Sequence, residues 1–222
     1  MKGFATNLRI AYKLLRLILD PARIERILDI AELGYMRPGS RLFQQAVDFA
    51  MSDPDFAELY ARRYAPAPAT AKELAALPPG TLGHEYARFL EENKLSPAYF
   101  PMVPNETPAG YLLRRIRETH DIWHVIVDFD TSRPGEIGIL AFGLAQFRSP
   151  VAALISAAAF VVTLSREPEK FEEMMDAFIQ GYERGRRACF LLSQKFEEIW
   201  TRPLAQLRRE LGFTASPAAI AR

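Results

Sequence analysis

Side chains of metal-ligand type crowd into one short stretch of this chain, between positions 120 and 136. It reads His-Asp-Ile-Trp-His, then eleven residues, then Glu136. His120 and His124 are two of the chain's three histidines and stand four residues apart. An α-helix turns once every ~3.6 residues and rises about 1.5 Å per residue. Two imidazoles at that spacing stack on one face and can reach one cation. The two-histidine helix of metalloproteases has the same spacing, with Glu in second place. Here that place is held by Asp121, whose shorter side chain argues against the protease mechanism. Asp121 lies about 100° round the helix from His120. It borders the stripe, as a further ligand or as the acceptor that orients an imidazole.

Two neutral imidazoles with one or two carboxylates suit Zn²⁺, Fe²⁺, Co²⁺ or Mn²⁺, and the ligand types do not choose among them. Two His and one carboxylate with open positions is also the ligand set of non-haem iron oxygenases. The plainer reading is a pair of histidines hydrogen-bonded inside a bundle. It is disfavoured because buried ionisable groups are costly and rarely cluster without a counter-ion. Leu113, Arg117, His120 and His124 share one stripe, at steps of four, three and four. A guanidinium at Arg117 can hold a substrate carboxylate in a bidentate grip, or pair with a local acid. Glu136 serves as ligand or as proton carrier. His84, in L-G-H-E-Y, reads as a capping or surface histidine, and Asp128 as a solvated acid at a helix end.

Three elements must bring these groups together. Thr107-Pro108 starts a helix predicted over 108–127, because a capping oxygen followed by proline suits a first turn. Asp130, Thr131 or Ser132 caps the next helix, with Pro134 and Gly135 near its start, so Glu136 falls in its first turn. The connection is tight enough for the second helix to fold back on the first. Further helices are expected over 4–19, 21–32, 40–51, 54–63, 81–92, 135–148, 150–165, 168–199 and 203–211. Strand signals are weak, with no sustained alternation and no Asn-Gly or Asp-Gly hairpin. The fold class is all-α, a single-domain bundle of about ten helices with an apolar cavity, spanning 1–213 with a frayed tail at 214–222. Proline-rich stretches at 65–80 and 96–108 read as loops.

Composition narrows the function classes. The 28 basic and 27 acidic side chains nearly cancel, so no global field favours nucleic acid. The single cysteine, Cys189, excludes an internal disulfide and reads as a small core residue. Lys2, Arg9, Lys13 and Arg16 alternate with Phe4, Leu8, Ala11, Leu15 and Ile18 at helical spacing. That pattern is either an ordinary first helix with a solvated face or one that lies on an anionic membrane surface. The longest apolar run, Val151 to Leu164, suits a buried helix better than a membrane span. Gly138, Gly143 and Ala157 to Ala159 permit close helix packing, or leave room for a slender greasy ligand. Gly181 and Gly185 would permit a close helix crossing, and with it a homodimer.

With these residues the chain resembles the ubiquinone (coenzyme Q) biosynthesis family of the fourth Coq protein, whose mark is H-D-x-x-H-x11-E. The motif here is His120, Asp121, His124 and Glu136. D-P-A-R from 20, L-P-P-G-T-L-G-H-E-Y-A-R-F-L over 77–90, and R-P-L-A-Q-L-R-R-E-L-G-F over 202–213 also look like family sequence. The resemblance implies an all-α protein that binds a divalent cation through those four residues and associates peripherally with a membrane. It implies an apolar cavity for a polyprenylated aromatic or quinone precursor, and work alongside other ubiquinone-biosynthesis proteins. It further implies oxidative decarboxylation, the ring's C1 carboxylate being replaced by hydroxyl. A non-catalytic lipid-binding scaffold, presenting prenylated intermediates to a biosynthetic complex, is the alternative. The chain begins almost at the family domain, as expected of a bacterial-type member on the inner face of the cytoplasmic membrane. A phosphohydrolase of the H…HD…D type fits worse, since only His84 is available upstream and nothing marks a distal Asp.

Overall fold

The computed structural model describes residues 41–95 and 106–213. The helices expected over 4–19 and 21–32, most of the 96–108 stretch and the 214–222 tail lie outside them. Among the described residues there are nine α-helices and no β-strand. They are α1 Arg41–Met51, α2 Pro54–Ala61, α3 Ala71–Ala75, α4 Leu82–Glu92, α5 Pro108–Val127, α6 Arg133–Phe147, α7 Pro150–Arg166, α8 Phe171–Arg187 and α9 Leu204–Glu210.

The starts follow from side-chain capping. Asp53, Thr81, Thr107, Ser132 and Ser149 each accept a backbone N–H from the first turn of α2, α4, α5, α6 and α7. Such caps contribute about 1 kcal/mol each. The core gathers round α5. Trp123 meets Phe142 edge-on, ring centroids 5.6 Å apart, and leans on Phe147. Leu112, Ile122 and Ile126 of α5 are buried beside Phe56, Leu191 and Phe196. Burying each such side chain is worth about 1.5–3 kcal/mol.

α6 packs along α8, and the glycines make this possible. A Cβ on Gly181 would overlap the carbonyl oxygen of Gly138, and one on Gly185 would lie 2.7 Å from the carbonyl oxygen of Phe142. Gly138 is also covered by the ring of Phe129. The close crossing offered by Gly181 and Gly185 is therefore made within the chain, and Gly138 serves packing.

Three expectations are corrected. The single helix expected over 168–199 is α8 followed by extended backbone at Ala188 (ψ 152°) and two 3₁₀ turns, Leu191–Ser193 and Phe196–Glu198. The side chain of Gln146 helps end it, donating to the carbonyl of Gly185 at 2.8 Å and accepting from the amide of Leu191 at 2.7 Å. Cys189 sits in that connector and is exposed, not a core residue. The 65–80 loop contains a short helix, α3, opened by a reciprocal cap between Thr70 and Glu73.

Candidate metal centre

α5 presents His120 and His124 one turn apart, with ring centroids 5.0 Å from each other. The chain leaves α5 through Asp128 in left-handed backbone (φ 68°), and Ser132 then caps α6. This short reversal swings Glu136, in the first turn of α6, back over the histidines. One ring nitrogen each of His120 and His124 and a carboxylate oxygen of Glu136 lie within 4.8 Å of one another.

Hydrogen bonds assign roles to the ring nitrogens. Nδ1 of His124 is 3.1 Å from the carbonyl oxygen of Phe129, which can only accept, so Nδ1 carries the proton. That leaves a lone pair on Nε2, 3.5 Å from Oε1 of Glu136. Nδ1 of His120 is 3.1 Å from Oδ1 of Asp121. Asp121 is thus a hydrogen-bond partner of the His120 ring, and the ligand-type atoms that lie together are those of His120, His124 and Glu136. His124 is 1% exposed at its side chain and stacks on Phe89, whereas Glu136 is 41% exposed. The site is sealed on one side and open on the other.

The titration tendencies follow. Burial, and then the neighbouring His120, push His124 down to about 4. For His120 burial works downward, but the Asp121 hydrogen bond and the negative charge of Glu136 outweigh it and raise the imidazole. Burial raises the Glu136 carboxyl.

The family model described as "Coenzyme Q (ubiquinone) biosynthesis protein Coq4" matches residues 13–217. The chain belongs to the Coq4 family of coenzyme Q biosynthesis proteins. It is 32% identical over 188 residues to the human "Ubiquinone biosynthesis protein COQ4 homolog, mitochondrial", covering 82% of this chain and 69% of that protein. The rat homologue is 36% identical over 153 residues, covering 67% of this chain and 56% of that protein. A crystal structure of a Nostoc punctiforme protein named for ubiquinone biosynthesis is similar at a TM-score of 0.80 and 30% identity. The match covers 94% of this chain and 99% of that one.

The donor set of this Coq4 chain fits a divalent cation. A nitrogen lone pair facing a carboxylate across a short gap is repulsive with nothing between them. A cation reverses the sign of that contact. Bonds of about 2.0–2.2 Å need the three ligand atoms only slightly closer together, and the half-exposed Glu136 can make that movement.

The remaining candidates are not among the clustered ligand atoms. Arg117 is half-buried on α5. His84 lies in the first turn of α4 with Nδ1 3.0 Å from the carbonyl of Leu77, and Thr81 is the cap. Asp128 is an exposed helix-end acid paired with Arg208 at 2.8 Å. A groove of about 1000 Å³ reaches His124 between α4, α5, α6 and α8, past Arg88, Glu92, Asp130 and Glu173. Its walls beside the site are mainly polar.

Sequence reasoning missed two supports. The Phe129 carbonyl was invisible because it belongs to the backbone. The second support, Arg115, lies off the histidine stripe. Arg115 is fully buried, donates to Glu197 at 2.7 Å and to the Gln194 carbonyl at 2.8 Å, and ties α5 to the segment after α8. Its spacing to Thr119, Ile122 and Ile126 on the apolar face was the available signal.

Proposed function

We propose that this protein is a metal-dependent oxidative decarboxylase of a polyprenylated hydroxybenzoate-type acid in ubiquinone biosynthesis. The observation that carries the reading is the lone pair of His124 aimed at the Glu136 carboxylate, beside His120, in a family named for that pathway. His120, His124 and Glu136 would hold the cation (Zn²⁺, Fe²⁺, Co²⁺ or Mn²⁺), with Asp121 adjoining. When bound, it supplies Lewis acidity toward the substrate carboxylate or the neighbouring phenolic oxygen.

The chain's own groups do the rest. Asp121 and the Phe129 carbonyl fix the two imidazole tautomers, so each ring offers its other nitrogen. Arg117 grips the departing carboxylate from the histidine stripe. Glu136 serves as a ligand or, where it does not ligate, as the acceptor that takes the phenolic proton and returns it. Overall the carboxyl carbon leaves as CO₂ and the vacated ring carbon gains hydroxyl, a two-electron oxidation that balances with water supplying the oxygen and dioxygen, the electron acceptor, leaving as hydrogen peroxide.

The prenyl tail needs apolar surface. Val161 and Leu164 of α7 and Ile179 and Tyr182 of α8 are large apolar side chains left exposed. No helix among the described residues is long and apolar enough to cross a membrane. We place the protein peripherally on the inner face of the cytoplasmic membrane, as one domain over 1–213, alongside other enzymes of the pathway. The test is a single-turnover assay with purified protein, each candidate metal and a carboxyl-labelled prenylated hydroxybenzoate under oxygen. Labelled CO₂ with ring hydroxylation is expected. Tight substrate binding with no CO₂ from any metal would replace catalysis with presentation by a scaffold. Arg117→Lys should weaken capture of the acid while leaving metal content unchanged, and metal loss in that variant would count against its role.

A further inference from the structure

The last four carbonyls of an α-helix have no partner inside it. At the end of α5 these belong to His124, Val125, Ile126 and Val127. The His124 carbonyl accepts from the backbone amides of Asp128 and Phe129, at 3.1 and 3.2 Å. Arginines from far along the chain meet the other three. Arg208 of α9 donates through Nη2 to Val125 at 2.7 Å and through Nε to Ile126 at 3.1 Å, and Nη2 also reaches the Asp128 carboxylate at 2.8 Å. Arg184 of α8 donates to the Val127 carbonyl and, at 3.2 Å, to that of Asp128. Its guanidinium also lies over the Phe129 ring, 4.7 Å from the centroid.

The backbone gripped in this way is the reversal that the metal centre depends on. Asp128 holds a left-handed conformation, which costs an L-residue energy. Phe129, next in sequence, supplies the carbonyl that fixes the His124 tautomer. Positive charge at a helix C-terminus is also favoured by the helix dipole. Both arginines line the groove beside His124, yet their donors face backbone oxygens and the Asp128 carboxylate.

We infer that Arg184 and Arg208 are positioning residues for the metal centre: by locking the turn from Val125 to Phe129 they hold His124 in its ligating tautomer. The inference rests on the reading of His120, His124 and Glu136 as cation ligands, but its first test needs no metal. In the metal-free full-length chain, NMR of the His124 ring nitrogens should show a proton on Nδ1. Arg184→Gln and Arg208→Gln should shift this toward a mixture of tautomers, with partial return in Arg208→Lys. Cobalt(II) titration should then show affinity weakened about 10–100-fold in both Gln variants, with an altered visible spectrum of the bound ion. Arg202→Gln, which breaks an exposed pair between the residue before the α9 cap and Glu210 of α9 (2.6 Å), should change neither readout. Arg208→Lys carries the test if a Gln variant fails to fold. An unchanged His124 tautomer in folded Arg184 and Arg208 variants overturns the inference. An altered tautomer in a chain that binds no cobalt upholds the positioning role and removes the metal reading instead.

Discussion

Nε2 of His124 stands 3.5 Å from Oε1 of Glu136, across the gap between α5 and α6. Because the Phe129 carbonyl accepts the hydrogen bond from Nδ1–H, the nitrogen facing Glu136 offers electrons rather than a hydrogen. The two groups do not satisfy each other, and a cation between them would satisfy both. Local capping by Thr107 and Ser132, and the reversal at Asp128, bring the two helices into that relation.

Asp121 is expected to matter through His120. Asp121→Asn keeps an oxygen for the Nδ1 proton but removes the charge. Cation affinity should fall about 10–100-fold, measured by competition with a chromophoric chelator, while the fold is unchanged. Affinity equal to wild type would show that Asp121 does not tune the site.

Stability of the metal-free protein should depend on pH through His124. Its folded pKa of about 4 lies below the ordinary histidine value of 6.5, so its contribution is present above 6.5 and is lost as pH falls toward 4. The loss is on the order of 3 kcal/mol. His120, shifted upward, acts in the opposite sense, its contribution being present at low pH and fading as pH rises above 6.5. Urea unfolding of wild type and His124→Phe across this range checks the sign. A His124→Phe profile as steep as wild type would contradict it.

The α6–α8 crossing should be intolerant of one methyl group. Alanine is favoured over glycine in a helix by about 1 kcal/mol, yet at Gly181 its Cβ would overlap the Gly138 carbonyl. Overpacking of this kind costs typically ~1–3 kcal/mol, occasionally more. Gly181→Ala is therefore expected to destabilise by up to about 2 kcal/mol net and to lower cation affinity, since α6 carries Glu136. Urea unfolding showing a more stable variant would mean the helices do not approach as described.

Arg115 and Glu197 form a buried ion pair at 2.7 Å, with Arg115 fully enclosed. Removing Glu197 leaves the enclosed Arg115 guanidinium only the Gln194 carbonyl and the more distant Glu118 carboxylate, at 3.6 Å. Glu197→Ala should cost about 3–5 kcal/mol, and the double change Arg115→Met with Glu197→Leu should cost less than that single change. A double-mutant cycle by chemical denaturation measures this, and a double variant weaker than Glu197→Ala would contradict it.

Much of this arrangement could be read from short-range signals. The α5 bounds, 108–127, follow from Thr107-Pro108 at one end and the close of the apolar pattern at the other. Glu136 in the first turn of α6 follows from Ser132, Pro134 and Gly135. What was not legible depends on partners far off in sequence. The end of α8 needs Gln146, and the end of α5 needs Arg184 and Arg208. No periodicity near residue 187 announces a side chain from residue 146. The Thr70-x-x-Glu73 box that opens α3 was readable, but the surrounding prolines masked it.

Cation binding at the His120, His124 and Glu136 cluster is tested most directly by elemental analysis of the full-length protein after loading with each candidate metal. The wild type should retain a divalent cation, and His120→Ala and His124→Ala, still folded, should retain none. Full occupancy in both folded variants would contradict the assignment.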